Sequence, residues 1–264
     1  MTIVVQSYGG GVNSLALLLR AVEENRAPDI VVFADTGAEF PHTYESIKEV
    51  RAWLAEVSPR TEWIQTKWIR RTGEWISLEQ ACVDRKELPS KAYGYSGCTS
   101  KWKQQPIDRV VYSHPRVVAE LEKEGGTVIR WIGYDADEPE RLDRMMSKNP
   151  QPAGKWKGRV IWDAPLVAWD MDRDDCEAII KRSPLTFPGK SSCFFCPSMR
   201  KAEILEMSKR YPDLLQRALE IEGNAELQTV KGLGRSFAWR GLILKNEADT
   251  CAREEVAEDC TCGR

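Results

Sequence analysis

An apolar run, three consecutive glycines and a second apolar run of different period open the chain: VVQSYGGGVNSLALLL, residues 4 to 19. Residues 2–6 are rich in β-branched side chains and read as a buried strand, whereas Leu15, Leu18, Leu19 and Val22 recur at helical spacing. Glycines at a strand-to-helix turn allow positive φ and let the backbone approach a ligand, and the free N–H groups of the helix start favour an anion. Phosphate is the ligand this predicts; the competing reading is a tight turn that packs the helix closely on the strand. Two familiar phosphate loops fail on the letters. A Walker loop needs a lysine where Asn13 stands, and a dinucleotide fingerprint needs a third glycine where Ser14 stands.

Further strands are expected at DIVVFADTG (29–37), TEWIQT (61–66), TVIRWIGY (127–134) and RVIWDAPL (159–166), with a helix over 41–55. This alternation predicts an α/β fold built on a doubly wound, five-stranded, mostly parallel sheet with right-handed crossovers. Ligands of such sheets bind beyond the carboxyl ends of the strands. The glycine loop, Asp35-Thr36-Gly37 and Gly133-Tyr134-Asp135 would share that edge. A boundary is expected near Asp170. Residues 1–169 would form the nucleotide-binding domain, with an insertion over 68–105, and residues 170–264 a mainly helical C-terminal region carrying a Cys-x-x-Cys and a Cys-x-Cys.

A chain of 264 residues is long enough to fold without a structural metal. Its net charge of −2 and pI near 5.9 give no global attraction for a polyanion, so any such partner must be met by local patches. There is no run of eighteen apolar residues, and the chain begins directly with a strand, which predicts a soluble, cytoplasmic protein with no membrane partner. Eight cysteines in that setting read as thiols or metal ligands. The oligomeric state is not legible.

These features together resemble the PP-loop ATP pyrophosphatase superfamily and, within it, the phosphoadenylyl-sulfate (PAPS) reductase-like group of phage and prophage type. The PP-loop pattern is Ser-Gly-Gly-any-Asp-Ser after the first strand; here Gly9-Gly10-Gly11-Val12-Asn13-Ser14 stands in its place, with Gly9 for the first serine and Asn13 for the aspartate. Ser7 offers a nearby hydroxyl. FADTGAEFPHTYE (33–45) is similar to the family's second-strand segment, and IGYDADEPERLDR (132–144) to its later glycine, acidic and arginine segment, except that Asp135 replaces a residue often basic. The resemblance implies that Ser7, Gly9, Gly10, Gly11, Asn13, Ser14, Asp35, Thr36, Gly37, Glu39, Gly133, Arg141 and Arg144 bind an adenine nucleotide, ATP with magnesium. Asn13, Ser14, Asp35 and Arg141 would take part in catalysis. Arg141 and Arg144 would grip phosphate or pair with Glu138 and Glu140. Asp35 and Glu39 would hold magnesium or a ribose hydroxyl; otherwise Asp35 caps the next helix.

SSCFFCPSMR resembles the Cys-rich turn of the same phage-type group, and the resemblance implies that Cys98 meets Cys193 and Cys196. A fourth ligand would be Cys262 or Cys260, or the position would stay open for sulfur. A [4Fe-4S] cluster is the expected occupant and zinc the alternative. Cys82 and Cys176 read as core thiols, Cys251 has no readable role, and His42 and His114 read as structural. Basic and aromatic residues alternate at 66–71, 100–105, 154–159 and 232–240; any one stretch reads first as half-buried core tryptophans with solvated neighbours, while four together suit unpaired bases. The expected activity is adenylation of an oxygen on a nucleobase or nucleic-acid substrate followed by its replacement with sulfur from a sulfur or thiol donor. A sulfonucleotide (PAPS/APS) reductase is the alternative, although the family's Glu-Cys-Gly-Leu-His tail is absent and EDCTCGR stands at the end. A zinc-stabilised nucleic-acid-binding module is a third reading.

Overall fold

The computed structural model describes the backbone of residues 2–259 and the side chains of residues 2–249. The elements in order are β1 (Ile3–Tyr8), α1 (Val12–Glu23), β2 (Ile30–Asp35), α2 (Pro41–Val57), β3 (Glu62–Lys67), α3 (Leu78–Arg85), α4 (Gly97–Thr99), α5 (Gln105–Ser113) and α6 (Pro115–Leu121). They continue with β4 (Val128–Ile132), α7 (Pro139–Lys148), β5 (Val160–Asp163), α8 (Pro165–Ala168), α9 (Arg173–Lys181), α10 (Lys201–Arg210), α11 (Pro212–Asn224) and α12 (Trp239–Asp259). The chain makes two compact units, one from its start through Trp75 joined by Ser100–Ser192, the other from Ile76–Thr99 joined by the chain from Cys193 on.

The first unit carries one five-stranded sheet in the order β3-β2-β1-β4-β5, every neighbouring pair parallel. All five strands are those expected from the sequence. Val5 of β1 pairs with Ile30 on one side and Arg130 on the other, so the strand order reverses at β1 and opens a crevice beyond its carboxyl end. On one face, Leu15 and Leu18 of α1, Ile47 and Val50 of α2, and Ile179 and Ile180 of α9 enclose Tyr8, Phe33 and Trp131. On the other, Ile107 and Val111 of α5 and Val117 and Leu121 of α6 cover Val5, Val32 and Val128. Burial on both faces is why IVVFAD reads as a continuous apolar run.

The units do not divide at Asp170. Asp172 does begin a helix, accepting the Asp175 N–H at 2.9 Å, but that helix is α9, and its Cys176, Ile179 and Ile180 stripe is buried with α1 in the core of the sheet unit. The excursion that leaves the sheet unit is residues 76–99, shorter than the expected 68–105. In the second unit, the buried Glu222 of α11 accepts the N–H groups of Trp239 (2.8 Å) and Arg240 (3.0 Å), supplying the donors at the start of α12 with an acceptor. Among the described residues no helix is long and apolar enough to cross a membrane.

Candidate functional site

The three glycines join β1 to α1 at the sheet's carboxyl edge, and they are not equivalent. Gly10 has φ +76°, and a Cβ there would lie 3.0 Å from Thr43 Cγ2. At Gly11 a Cβ would meet Ser191 Oγ at 2.8 Å, whereas at Gly9 the nearest atom is Ser14 Oγ at 3.9 Å. The loop is therefore walled by the start of α2 and by the segment before Cys193. Thr43 is fully buried, and its Oγ1 has no hydrogen-bond partner. Ser14 folds back on the helix start, its Oγ accepting the Gly11 N–H (3.2 Å) and donating to the Gly11 carbonyl (2.9 Å). Gly133 follows β4 so closely that a Cβ would sit 3.0 Å from Ser14 N.

Asn13 links that first turn to the end of β4. Its Nδ2 donates to Asp135 Oδ2 (2.9 Å) and Glu138 Oε2 (3.1 Å), and its Oδ1 accepts from Arg173 (3.2 Å). Burial holds the Asp135 carboxyl above its ordinary range, Glu138 pushes the same way, and the bond from Asn13 opposes them. Asp135 Oδ1 is buried without a partner.

At the end of β2, Asp35 accepts the Gly37 N–H (2.7 Å), the Tyr44 hydroxyl (2.8 Å) and Gln65 Nε2 (3.2 Å). It does not cap α2, whose first turn starts at Pro41 without a side-chain cap. Burial and the bond to Asp35 both raise the Tyr44 pKa. Glu39 is enclosed, its Oε1 taking Lys103 Nζ at 3.0 Å and Thr36 Oγ1 at 3.2 Å, its Oε2 buried with no partner. Lys103 comes from the π-helical turn Ser100–Gln104; the sequence placed it in the basic-aromatic stretch 100–105 and not at the nucleotide edge.

Other expected residues lie elsewhere. Ser7 faces the α5 side of the sheet, where it accepts from Arg130 (3.2 Å). Arg130 is 2% exposed, pairs with Asp108 at 2.9 Å and stacks on Trp162 with 4.8 Å to the ring centre. Arg141 turns to Glu138 and lies over the Tyr134 ring, and Arg144 is exposed on α7. His42 faces the Lys190 carbonyl (3.3 Å) and His114 faces Glu62 (3.0 Å).

Cys98, Cys193 and Cys196 all belong to the second unit and none is in a disulfide. Their soft sulfur donors suit iron-sulfur or zinc chemistry. Their arrangement does not: among the described residues no three His, Cys, Asp or Glu side chains converge so as to hold a metal ion. Cys98 is instead held by Ser90, whose Oγ lies 3.1 Å from its Sγ and accepts its N–H at 2.8 Å. The Cys-x-x-Cys turn closes by the Cys196 N–H on the Cys193 carbonyl (3.0 Å) and buries Phe194 and Phe195. Cys82 and Cys176 are buried thiols, each pushed up to about 12, chiefly by burial. Cys260 and Cys262, and the side chain of Cys251, lie outside the described residues.

Two of the basic-aromatic stretches meet. Trp68 lies 4.8 Å from Trp102 between ring centres, Lys101 Nζ sits 4.3 Å over Trp68, and Lys67 Nζ 4.3 Å over Trp75, which is 41% exposed. Trp156 instead packs against the core beneath α5, and Trp239 of the 232–240 stretch is buried in the second unit.

A parallel sheet with a glycine loop and a helix start at its switch point defines a doubly wound α/β protein. The chain belongs to the phosphoadenosine phosphosulfate reductase domain family, whose pattern matches residues 3–173. It is 28% identical over 266 residues to the uncharacterized 37.8 kDa protein of the gpa 5′ region of Escherichia phage 186, spanning 84% of this chain and 75% of that one. With the nin region protein ORF290 of Escherichia phage lambda it shares 27% identity over 217 residues, 73% of this chain and 64%, under two thirds, of that protein. Among solved structures it is similar to the U34-tRNA thiolase NcsA of Methanococcus maripaludis with its [4Fe-4S] cluster, at 14% identity, 90% and 77% coverage of the two chains and a TM-score of 0.43.

Proposed function

We propose that the protein is an ATP-consuming PP-loop enzyme that adenylates an oxygen on a nucleobase or nucleic-acid substrate and exchanges that oxygen for sulfur. The observation that carries this reading is the Gly9–Gly11 loop at the sheet's switch point in a chain of this family. In the first step the substrate oxygen attacks the α-phosphorus, the bond to the β-phosphate oxygen breaks, and pyrophosphate leaves. Sulfide from the donor then attacks the adenylated carbon, the C–S bond forming as the C–O bond breaks, and AMP departs with the original oxygen. Backbone N–H groups at Gly9, Gly10 and the start of α1 would hold the departing pyrophosphate, so the protein's contribution is positioning and electrostatic stabilisation. Magnesium, when bound, would neutralise charge on that leaving group. The unpartnered Glu39 Oε2 fits a magnesium-bound water or a ribose hydroxyl, whereas both Asp35 oxygens already accept hydrogen bonds. Among the described residues Cys98, Cys193 and Cys196 are not gathered into a metal-holding group, so the reaction as proposed does not run through an iron-sulfur cluster. The surface formed by Trp68, Trp75, Lys67 and Lys101 favours a nucleic-acid acceptor over a free small molecule.

The test is pyrophosphate release from ATP in the presence of small RNA, single-stranded DNA or free nucleobases. Acceptor-dependent release, with AMP formed in equal amount once a sulfide or thiol donor is added, is the expected result. Sulfite released from a sulfated adenosine nucleotide by a thiol donor would overturn it in favour of a reductase.

A further inference from the structure

Residues 186–192, the last of the first unit, form a strap along α2 that runs into the SSCFFCPSMR turn, whose two serines the sequence motifs gave no role. Thr186 is fixed to Glu49 of α2 through its N–H (3.0 Å) and its Oγ1 (3.2 Å). Gly189 has φ +66°, and the His42 ring lies 3.4 Å from where its Cβ would be, with His42 Nε2 3.3 Å from the Lys190 carbonyl. Anchored twice on α2, the strap delivers Ser191 to the glycine loop, its Oγ 2.8 Å from a Cβ position on Gly11 and its Cβ 3.6 Å from one on Gly10. The next hydroxyl, Ser192 Oγ, is buried with no hydrogen-bond partner.

The loop itself is short of hydroxyl donors. Gly9 stands where the PP-loop pattern carries serine, Ser14 spends its proton on the Gly11 carbonyl, and Ser7 faces the opposite side of the sheet. We propose that Ser191 is a phosphate-binding residue, its hydroxyl supplied from the far end of the domain to donate to the nucleotide phosphates held by Gly9–Gly11. This rests on reading the loop as a nucleotide-phosphate site, and it adds a residue 180 positions away in the chain to that site. The hydrogen bond is charge-assisted, so its loss is expected to weaken binding about tenfold or more.

The structure also supplies the control. Gly9 has an ordinary φ and no atom closer than 3.9 Å to a Cβ, so a serine fits there. Binding of ATP, pyrophosphate and adenosine would be measured by calorimetry on the full-length wild type, Ser191→Ala and the double variant Gly9→Ser with Ser191→Ala, alongside the melting temperature of each. The expected result is about tenfold weaker ATP and pyrophosphate binding in Ser191→Ala, unchanged adenosine binding and melting temperature, and recovery in the double variant. Equal ATP affinity in Ser191→Ala overturns the proposal while the nucleotide site stands. So does an equal loss for ATP and adenosine, or a lowered melting temperature, because packing alone then accounts for Ser191. Failure of the wild type to bind ATP or pyrophosphate overturns the phosphate site itself.

Discussion

Asn13 offers its amide hydrogens to two carboxylates at once, Asp135 at 2.9 Å and Glu138 at 3.1 Å. An aspartate at 13 would put a third carboxyl group beside these two and remove the amide hydrogens they accept, so Asn13→Asp should lower the melting temperature. Adding Asp135→Asn should recover most of the loss, because the new amide then donates to the new carboxylate; the double-mutant cycle measures that coupling. Asp135 also gives the site a pH signature. With its folded pKa above the unfolded one, the native state keeps this proton longer as pH rises. Stability is therefore lost from about pH 3.8 up through the folded pKa and stays lower above it. Asp135→Asn alone should melt higher than wild type at pH 7, by a margin that shrinks on acidification; calorimetry at both ends checks this, and a constant margin would refute it. The two departures from the family pattern, Asn13 and Asp135, were each legible as letters. That they answer one another was not, because 122 residues separate them and only the fold makes the hydrogen bond.

Elements fix which loop positions tolerate change. Gly10 holds a left-handed φ against Thr43, so Gly10→Ala should cost about 1–2 kcal/mol, measured by urea unfolding, while Gly9→Ala should stay within about 0.5 kcal/mol. If both glycines cost the same, the loop does not have this shape. Arg130 makes a comparable point on β4. Its guanidinium is buried against Trp162, but its partner Asp108 is 45% exposed and can be solvated if abandoned. Arg130→Met should therefore be nearly neutral, because methionine refills the volume, and Arg130→Ala should cost about 2–5 kcal/mol through the cavity it leaves. The strands were readable because buried parallel strands are apolar runs bounded by turns. Arg130, inside TVIRWIGY, gave no sign of its burial, since Asp108 and Tyr112 of α5 and Trp162 of β5 reach it from two other segments. Asp172 caps α9 through the Asp175 N–H, but a cap says only where a helix begins. Which unit α9 joins is decided by its apolar stripe finding α1, a tertiary choice that local sequence does not encode.

At the scale of the whole molecule, a net charge of −2 cannot draw in a polyanion, so any nucleic-acid affinity has to come from one patch. Sequence spacing left four candidate stretches equal. Folding separates them: residues 66–71 and 100–105 join around Trp68 and Trp102, while Trp156 and Trp239 are spent on packing. The joined patch lies at the end of β3, where Lys67 pairs in register with Asp35, so under the proposed function an acceptor held there would approach the proposed nucleotide site. Binding of single-stranded RNA should weaken steeply with salt, and Lys67→Ala and Lys101→Ala should each flatten the slope of log K against log salt by about 0.7. Trp75→Ala, at an exposed ring, should cost about 1–3 kcal/mol of binding regardless of base sequence and leave the melting temperature unchanged. Fluorescence titration at several salt concentrations reads both effects. RNA affinity indifferent to Lys67, Lys101 and Trp75 together would move the acceptor away from this edge. The reaction would then need a small-molecule oxygen that reaches the loop without crossing the patch.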